Sequence, residues 1–200
     1  MAPDAVTSIK NDHRLLEGLF AQLQEGEGDR AALVAEVAAR LTAHSRAEEA
    51  EVYPAVRTAA RDKQRDVDHA HEEHQEAEHL LRKVENLIGS PHFDEALEEF
   101  VAAVRHHVEE EETEVLPALE KAVDAGTLRR LGEAFEKTRA EELRRVGYDE
   151  AGAPGDADPI AHDLRDATRD ELYDLAKQAD IPGRSSMNKE ELARALNEQR

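Results

Sequence analysis

Six side chains in this 200-residue sequence have the chemistry to hold metal ions: His13, His44, Glu48, His74, His107 and Glu111. Four of them form two His-x-x-x-Glu pairs, His44/Glu48 and His107/Glu111. On a helix, positions i and i+4 lie one above the other, so each pair can present a nitrogen and an oxygen to one centre. A carboxylate can also bridge two cations. A mixed imidazole–carboxylate set suits iron, and zinc or manganese fit the same donors. The chain has no cysteine, which excludes disulfides, thiolate zinc sites and cysteine-ligated clusters.

For these six to meet, helices must carry them inward. Steps of three and four place Ile9, His13, Leu16, Phe20 and Leu23 on one apolar stripe. A second stripe runs Val34, Val37, Leu41, His44, Glu48, Val52, and a third Ala70, His74, Ala77, Leu81, Val84, Ile88. The fourth runs Leu97, Phe100, Val104, His107, Glu111, Val115. Such stripes are the core-facing sides of bundle helices. Burying an unpaired carboxylate costs several kcal/mol unless it neutralises or finds a cation, and cations set among the six would satisfy it.

An internal repeat supports the same set. His44-x-x-x-Glu48 is followed by Glu51-Val-Tyr-Pro54, and His107-x-x-x-Glu111 by Glu114-Val-Leu-Pro117. Upstream, Asp12-His13 has its counterpart in Glu73-His74. The repeat also fixes a register. His106/Glu110 has the spacing of His107/Glu111, but aligning the two Pro-ended segments selects His107, leaving His106 about 100° away on the surface. His69, His79, His92 and His162 read as surface residues, Glu109–Glu112 as a solvated face apart from Glu111, and Pro54 and Pro117 as kinks or stops.

Glycine and proline breaks divide the chain into helices at about 4–24, 29–61, 63–88, 93–124 and 127–145. Short connections favour antiparallel neighbours. The expected fold is all-α: an up-down four-helix bundle with an extra helix over 1–146, a linker over 147–159, and a small helical module over 160–200. Good helix formers dominate, and aromatic residues are only 4%. The net charge of −20 keeps the surface soluble and repels nucleic acid and anionic membrane. No apolar run reaches the length of a membrane span, and Met1–Lys10 lacks the pattern of a secretory signal; a cytoplasmic location is the expectation.

The arrangement resembles the hemerythrin-like family, in its HHE cation-binding branch. The resemblance covers roughly residues 4–124 and rests on Asp12-His13, His44-x-x-x-Glu48, Glu73-His74 and His107-x-x-x-Glu111, in that order. It implies a non-haem di-iron centre with an oxo or hydroxo bridge, Glu48 and Glu111 bridging, and the four histidines as terminal ligands. Oxygen-carrying hemerythrins have a fifth histidine in a His-x-x-x-His pair on the third helix; here Ala70 stands at that place. His71, three residues before His74, is the candidate substitute, and Tyr53 a candidate hydrogen-bond partner or extra ligand. A ferritin-like site would need two Glu-x-x-His pairs, and Glu76-x-x-His79 is the only one.

The expected function is reaction with dioxygen, peroxide or nitric oxide, with peroxide disproportionation preferred. Its enzymatic form would be a catalase- or peroxidase-like oxidoreductase in oxidative stress; no catalytic residue is singled out. The alternative is a non-catalytic iron- or oxygen-responsive binding protein. Its tail, residues 170–196, resembles the helical N-terminal domain of termination factor Rho and SAP-type modules, which implies nucleic-acid contact through Arg184 and Lys189. Residues 158–200 hold seven Lys/Arg against ten Asp/Glu, so no basic footprint supports that contact, and a protein partner is the competing expectation.

Overall fold

Two aspartates start the first two helices. Asp4 accepts from Thr7 N at 2.9 Å, and Asp29 from Ala31 N and Ala32 N at 2.9 and 3.2 Å, satisfying amides that a first helical turn leaves without partners. Helix α1 (Ala5–Glu25) ends at Gly26. There a φ of 72° lets Glu27 N reach back to Gln22 O at 2.9 Å, a left-handed closure that glycine adopts without strain. Helix α2 covers Arg30–Ala47.

The computed structural model describes residues 3–148 and, beyond them, 169, 172, 173, 176, 181, 184 and 187–198. All regular elements among these are helical. A wide π-turn, Glu48–Val52, joins α2 to α3 (Tyr53–Ala59). A single 3₁₀ turn, Arg61–Lys63, leads into α4 (Gln64–Asn86). Helix α5 (Phe93–Glu110) passes through a second π-turn, Glu111–Val115, into α6 (Leu116–Ala122). Helix α7 spans Ala125–Arg145, and α8 Lys189–Glu198.

Four long helices form the bundle: α1 and α4 each pack on both α2 and α5. Two apolar clusters fill it. One, built on Leu16, Phe20, Val37, Leu81, Leu97 and Phe100, occupies one end of the bundle, with Phe20 and Phe100 edge to face at 5.6 Å. The other gathers Ile9, Val52, Tyr53, Val67, Leu116 and Phe135. His13, His44, Glu48, His74, His107 and Glu111 are all buried. Along every helix they fall between residues of the two clusters, so a polar layer separates two hydrophobic ones.

The stripes expected from the sequence are buried with one exception. Ile88 is 40% exposed, because α4 ends at Asn86 and the chain turns there, with Ile88 N bonded to Glu85 O. The prolines are kinks rather than stops. Pro54 and Pro117 sit in the first turns of α3 and α6, directly after the π-turns. Each lacks an N–H and crowds the carbonyl one turn back, and the widened turn absorbs both effects. The register shift lets consecutive residues face inward: Val52 with Tyr53, and Val115 with Leu116.

The chain divides into two compact units, Met1–Leu143 and Arg144–Arg200. In the second, Leu172, Ala176, Ile181 and Leu192 form a small buried cluster. A reciprocal cap opens α8: Asn188 N donates to Glu191 Oε2 at 2.9 Å and Glu191 N to Asn188 Oδ1 at 3.0 Å. Most of the expected linker, His162 and most of the first helix of the 160–200 module lie outside the described residues.

Candidate metal centre

The buried layer resolves into two groups of donor atoms that share one residue. His13, His44, Glu48 and Glu111 bring a ligand atom each within 4.8 Å of one another, and so do Glu48, His74 and His107. Glu48 belongs to both. Its Oε1 lies 3.2 Å from His44 Nε2, and its Oε2 3.4 Å from His74 Nε2. Glu111 Oε2 is 3.3 Å from His13 Nε2, and the Nε2 atoms of His74 and His107 are 3.1 Å apart. An ion bonded tetrahedrally at about 2.1 Å sets neighbouring donors roughly 3.4 Å apart. These separations match that spacing.

Nε2 of His13, Nε2 of His44 and all four carboxylate oxygens of Glu48 and Glu111 have no hydrogen-bond partner among the described residues. Buried polar atoms are nearly always partnered, and two fully buried carboxylates left bare are costly. Their donor set, imidazole nitrogen with carboxylate oxygen, fits a cation.

Each ring is held from behind by an acid. His13 Nδ1 donates to Glu112 Oε1 at 2.9 Å, and His44 Nδ1 to Asp12 Oδ2 at 3.4 Å. His74 Nδ1 donates to Glu49 Oε1 at 2.9 Å, and His107 Nδ1 to Glu73 Oε2 at 3.0 Å. A carboxylate on the far nitrogen fixes the tautomer, aims Nε2 inward and raises its basicity. The pattern follows the internal repeat. The acid before each first-helix histidine serves the histidine of its own hairpin's second helix, whereas the acid after each buried glutamate serves the opposite hairpin.

A family model described as Hemerythrin HHE cation binding domain matches residues 4–119. The chain belongs to that family. The HHE domain is also similar in fold to the crystal structure of a hemerythrin HHE cation binding domain-containing protein from Mycobacterium kansasii. The two are 21% identical with a TM-score of 0.65, covering 96% of this chain and 99% of that one. Among curated proteins, a DNA nickase from Nostoc sp. is 25% identical over 148 residues, 72% of this chain. The match spans 42% of that relative's length.

Electrostatics in the HHE centre are dominated by Glu48. Burial opposes ionisation there, but His44 and then His74 outweigh it and hold the carboxyl well below the usual range. Burial likewise opposes a proton on His44, yet Glu48 and Asp12 prevail and keep it well above the ordinary histidine value. His74, buried beside Glu48 and Glu49, is raised to about 9. Positive charge is what this site demands, and protons or a metal ion can supply it. Burial, then the negative fields of Glu111 and Glu48, keep the Tyr53 phenol protonated far up the pH scale. Its hydroxyl lies 3.4 Å from His74 Nε2, with the rings stacked at 5.7 Å.

Of the residues expected from sequence, all six principal ones meet in this layer. His71 does not join either group. It is half exposed, with Nδ1 on Glu49 at 2.9 Å and Nε2 on Gln75 at 2.9 Å. Glu112, expected on a solvated face, instead holds His13; it sits one residue past Glu111 in the wide turn, which brings it round to α1. The expectation missed Glu49 for the same reason, although both acids align in the repeat. It also gave α7 no role. Phe135 packs edge-on against His44 at 5.8 Å, and Arg139 Nε reaches Asp12 Oδ2 at 3.3 Å.

Proposed function

We propose that the protein is a non-haem di-iron protein that reacts with peroxide, dioxygen or nitric oxide, and that peroxide disproportionation is its favoured reaction. The observation that carries this reading is the position of Glu48, whose two oxygens face two different histidine groups. His13, His44, Glu48 and Glu111 would hold one ion; Glu48, His74 and His107 the other. Zinc or manganese would fit the same donors.

Iron would supply a redox couple able to exchange electrons with an oxygen species. The second group has three protein donors and lies beside the protonated Tyr53 hydroxyl. That hydroxyl holds its proton and can donate a hydrogen bond beside His74. A cleft of about 420 Å³ between α1 and α5 reaches His13, its wall part apolar (Leu16, Phe20, Val104, Val108) and part charged (Glu17, Arg105, Glu109, Glu112). The nitrogen-poor set, with Ala70 where oxygen carriers have a histidine, favours turnover over oxygen storage.

The test is metal analysis of iron-replete protein followed by oxygen evolution from added peroxide. Two irons per chain and sustained turnover are expected. Glu48→Gln should weaken both ions together, and His44→Ala or Glu111→Ala should each lower bound iron. Unchanged iron in all three variants would reject the centre. Full iron with no turnover would reject disproportionation and leave the binding role.

The relative named DNA nickase favours a second reading, in which the chain contacts nucleic acid while the bundle responds to iron or oxygen; the resemblance of the tail would put that contact in residues 160–200. Salt-sensitive DNA binding that is lost on Arg184→Ala/Lys189→Ala would support it.

A further inference from the structure

The register set aside for the buried centre is used on the surface. His69/Glu73 on α4 and His106/Glu110 on α5 are two more His-x-x-x-Glu pairs, on neighbouring helices. We propose that these four residues form an outer divalent-cation site, and that cations pass from it into the buried centre.

The donors are gathered as a cation would need. His69 Nε2 lies 3.8 Å from Glu73 Oε1 and 3.6 Å from Glu110 Oε2. His106 Nε2 lies 3.9 Å from Glu73 Oε1 and 3.4 Å from Glu110 Oε1. One ligand atom each from His69, Glu73 and Glu110 lies within 4.8 Å of the others; His106 falls outside that group but stays within reach of both acids. Three of the four separations run slightly beyond the roughly 3.4 Å of a closed tetrahedral site, which suits an open site that binds and releases. Both imidazoles are more than half exposed, so a hydrated ion can reach them, whereas the Glu73 side chain is 10% exposed. Neighbouring acids are neutralised differently. Lys63 pairs with Asp66 at 2.7 Å and Glu114 at 2.6 Å, while among the described residues no lysine or arginine pairs with Glu73 or Glu110.

A second observation gives the site a direction. The four residues line a cleft of about 560 Å³ whose wall also includes Glu111. Glu111 is 1% exposed, and neither of its oxygens has a hydrogen-bond partner. Glu111, a residue of the inner centre, thus also borders the outer cleft, its carboxylate buried behind the wall. Glu73 spans the two sites: Oε1 faces the outer imidazoles, and Oε2 accepts from His107 Nδ1 at 3.0 Å. A cation held outside by Glu110 and Glu73 is thereby one carboxylate away from the buried His107. An acidic cleft of this kind concentrates cations and speeds their capture. The passage inward rests on the buried centre holding metal as proposed above; the outer site does not.

The experiment counts Zn²⁺ bound at equilibrium by the metal-free full chain and follows, without oxygen, the rate at which Fe²⁺ becomes inaccessible to a chelator. His69→Ala/His106→Ala should bind one equivalent fewer than the unaltered chain and load its inner centre measurably more slowly. Glu110→Gln should do the same while leaving both exposed histidines in place. His13→Ala/His44→Ala, on α1 and α2, should lose inner equivalents and keep the outer one. An unchanged count in the His69/His106 variant overturns the outer site. A lowered count with unchanged loading overturns the passage. An unchanged count in the His13/His44 variant rejects the inner centre instead, so the two failures are distinct.

Discussion

Each inward-facing imidazole does two things at once: it offers Nε2 to the layer and gives its Nδ1 proton to an acid behind it. That second bond sets how well the first is aimed. Glu112→Gln keeps the size of the side chain that holds His13 but removes the charge. Metal affinity should fall by about 10–100-fold with the number of ions unchanged, measured by competition with a chelator. The six inward residues were legible because they interrupt apolar stripes where nothing polar belongs. The acids behind them were less so. Glu49 and Glu112 each lie one residue from a stripe position, in a chain with 46 Asp and Glu, and periodicity alone cannot separate them from solvated surface. Their matched places in the repeat were the available signal. Asp12 and Glu73 were visible as members of the motif, but which ring each would serve depended on how the helices pack.

Helices are where the sequence spoke most plainly, since glycine and proline breaks and stripes agree on nearly every boundary. The π-turns were not legible, because a one-residue widening leaves composition untouched and shows only in which residues end up inside. Pro54 and Pro117 marked the places without saying how the chain would accommodate them. The crossing of α7 was equally hidden. It depends on Gly132, where an added Cβ would meet Pro3 O at 2.6 Å and Asp4 C at 2.7 Å. These are backbone atoms that cannot swing away, so the start of α1 or the whole of α7 must shift. Gly132→Ala should therefore destabilise the fold by about 1–3 kcal/mol despite its better helix propensity. A thermal melt would show it, and loosened packing of Phe135 on His44 should accompany it as weaker metal retention.

Across the whole molecule, acidity and the buried layer make stability depend on what occupies the centre. In metal-free protein the proton on His74 is held to about 9, and that on His44 also lies well above the ordinary value. A raised histidine contributes stability that is fully present below about pH 6.5 and is lost as pH rises through its folded value. Glu48, depressed in the fold, contributes above its ordinary range and loses that contribution only as pH falls below it. The metal-free melting temperature should thus drop between about pH 6.5 and 9. The loaded protein, whose ions have displaced those protons, should change little over the same window. Melting curves with and without a chelator would decide.

The crosswise support of the rings has a kinetic consequence. Glu49 of the first hairpin steadies His74 of the second, and Glu112 of the second steadies His13 of the first, so neither hairpin can complete a cage by itself. Ions should then be captured only after both halves have closed on each other. Metal should leave the refolding rate nearly unchanged and slow unfolding instead. The ions act as a latch that delays the chain's opening without hastening its assembly.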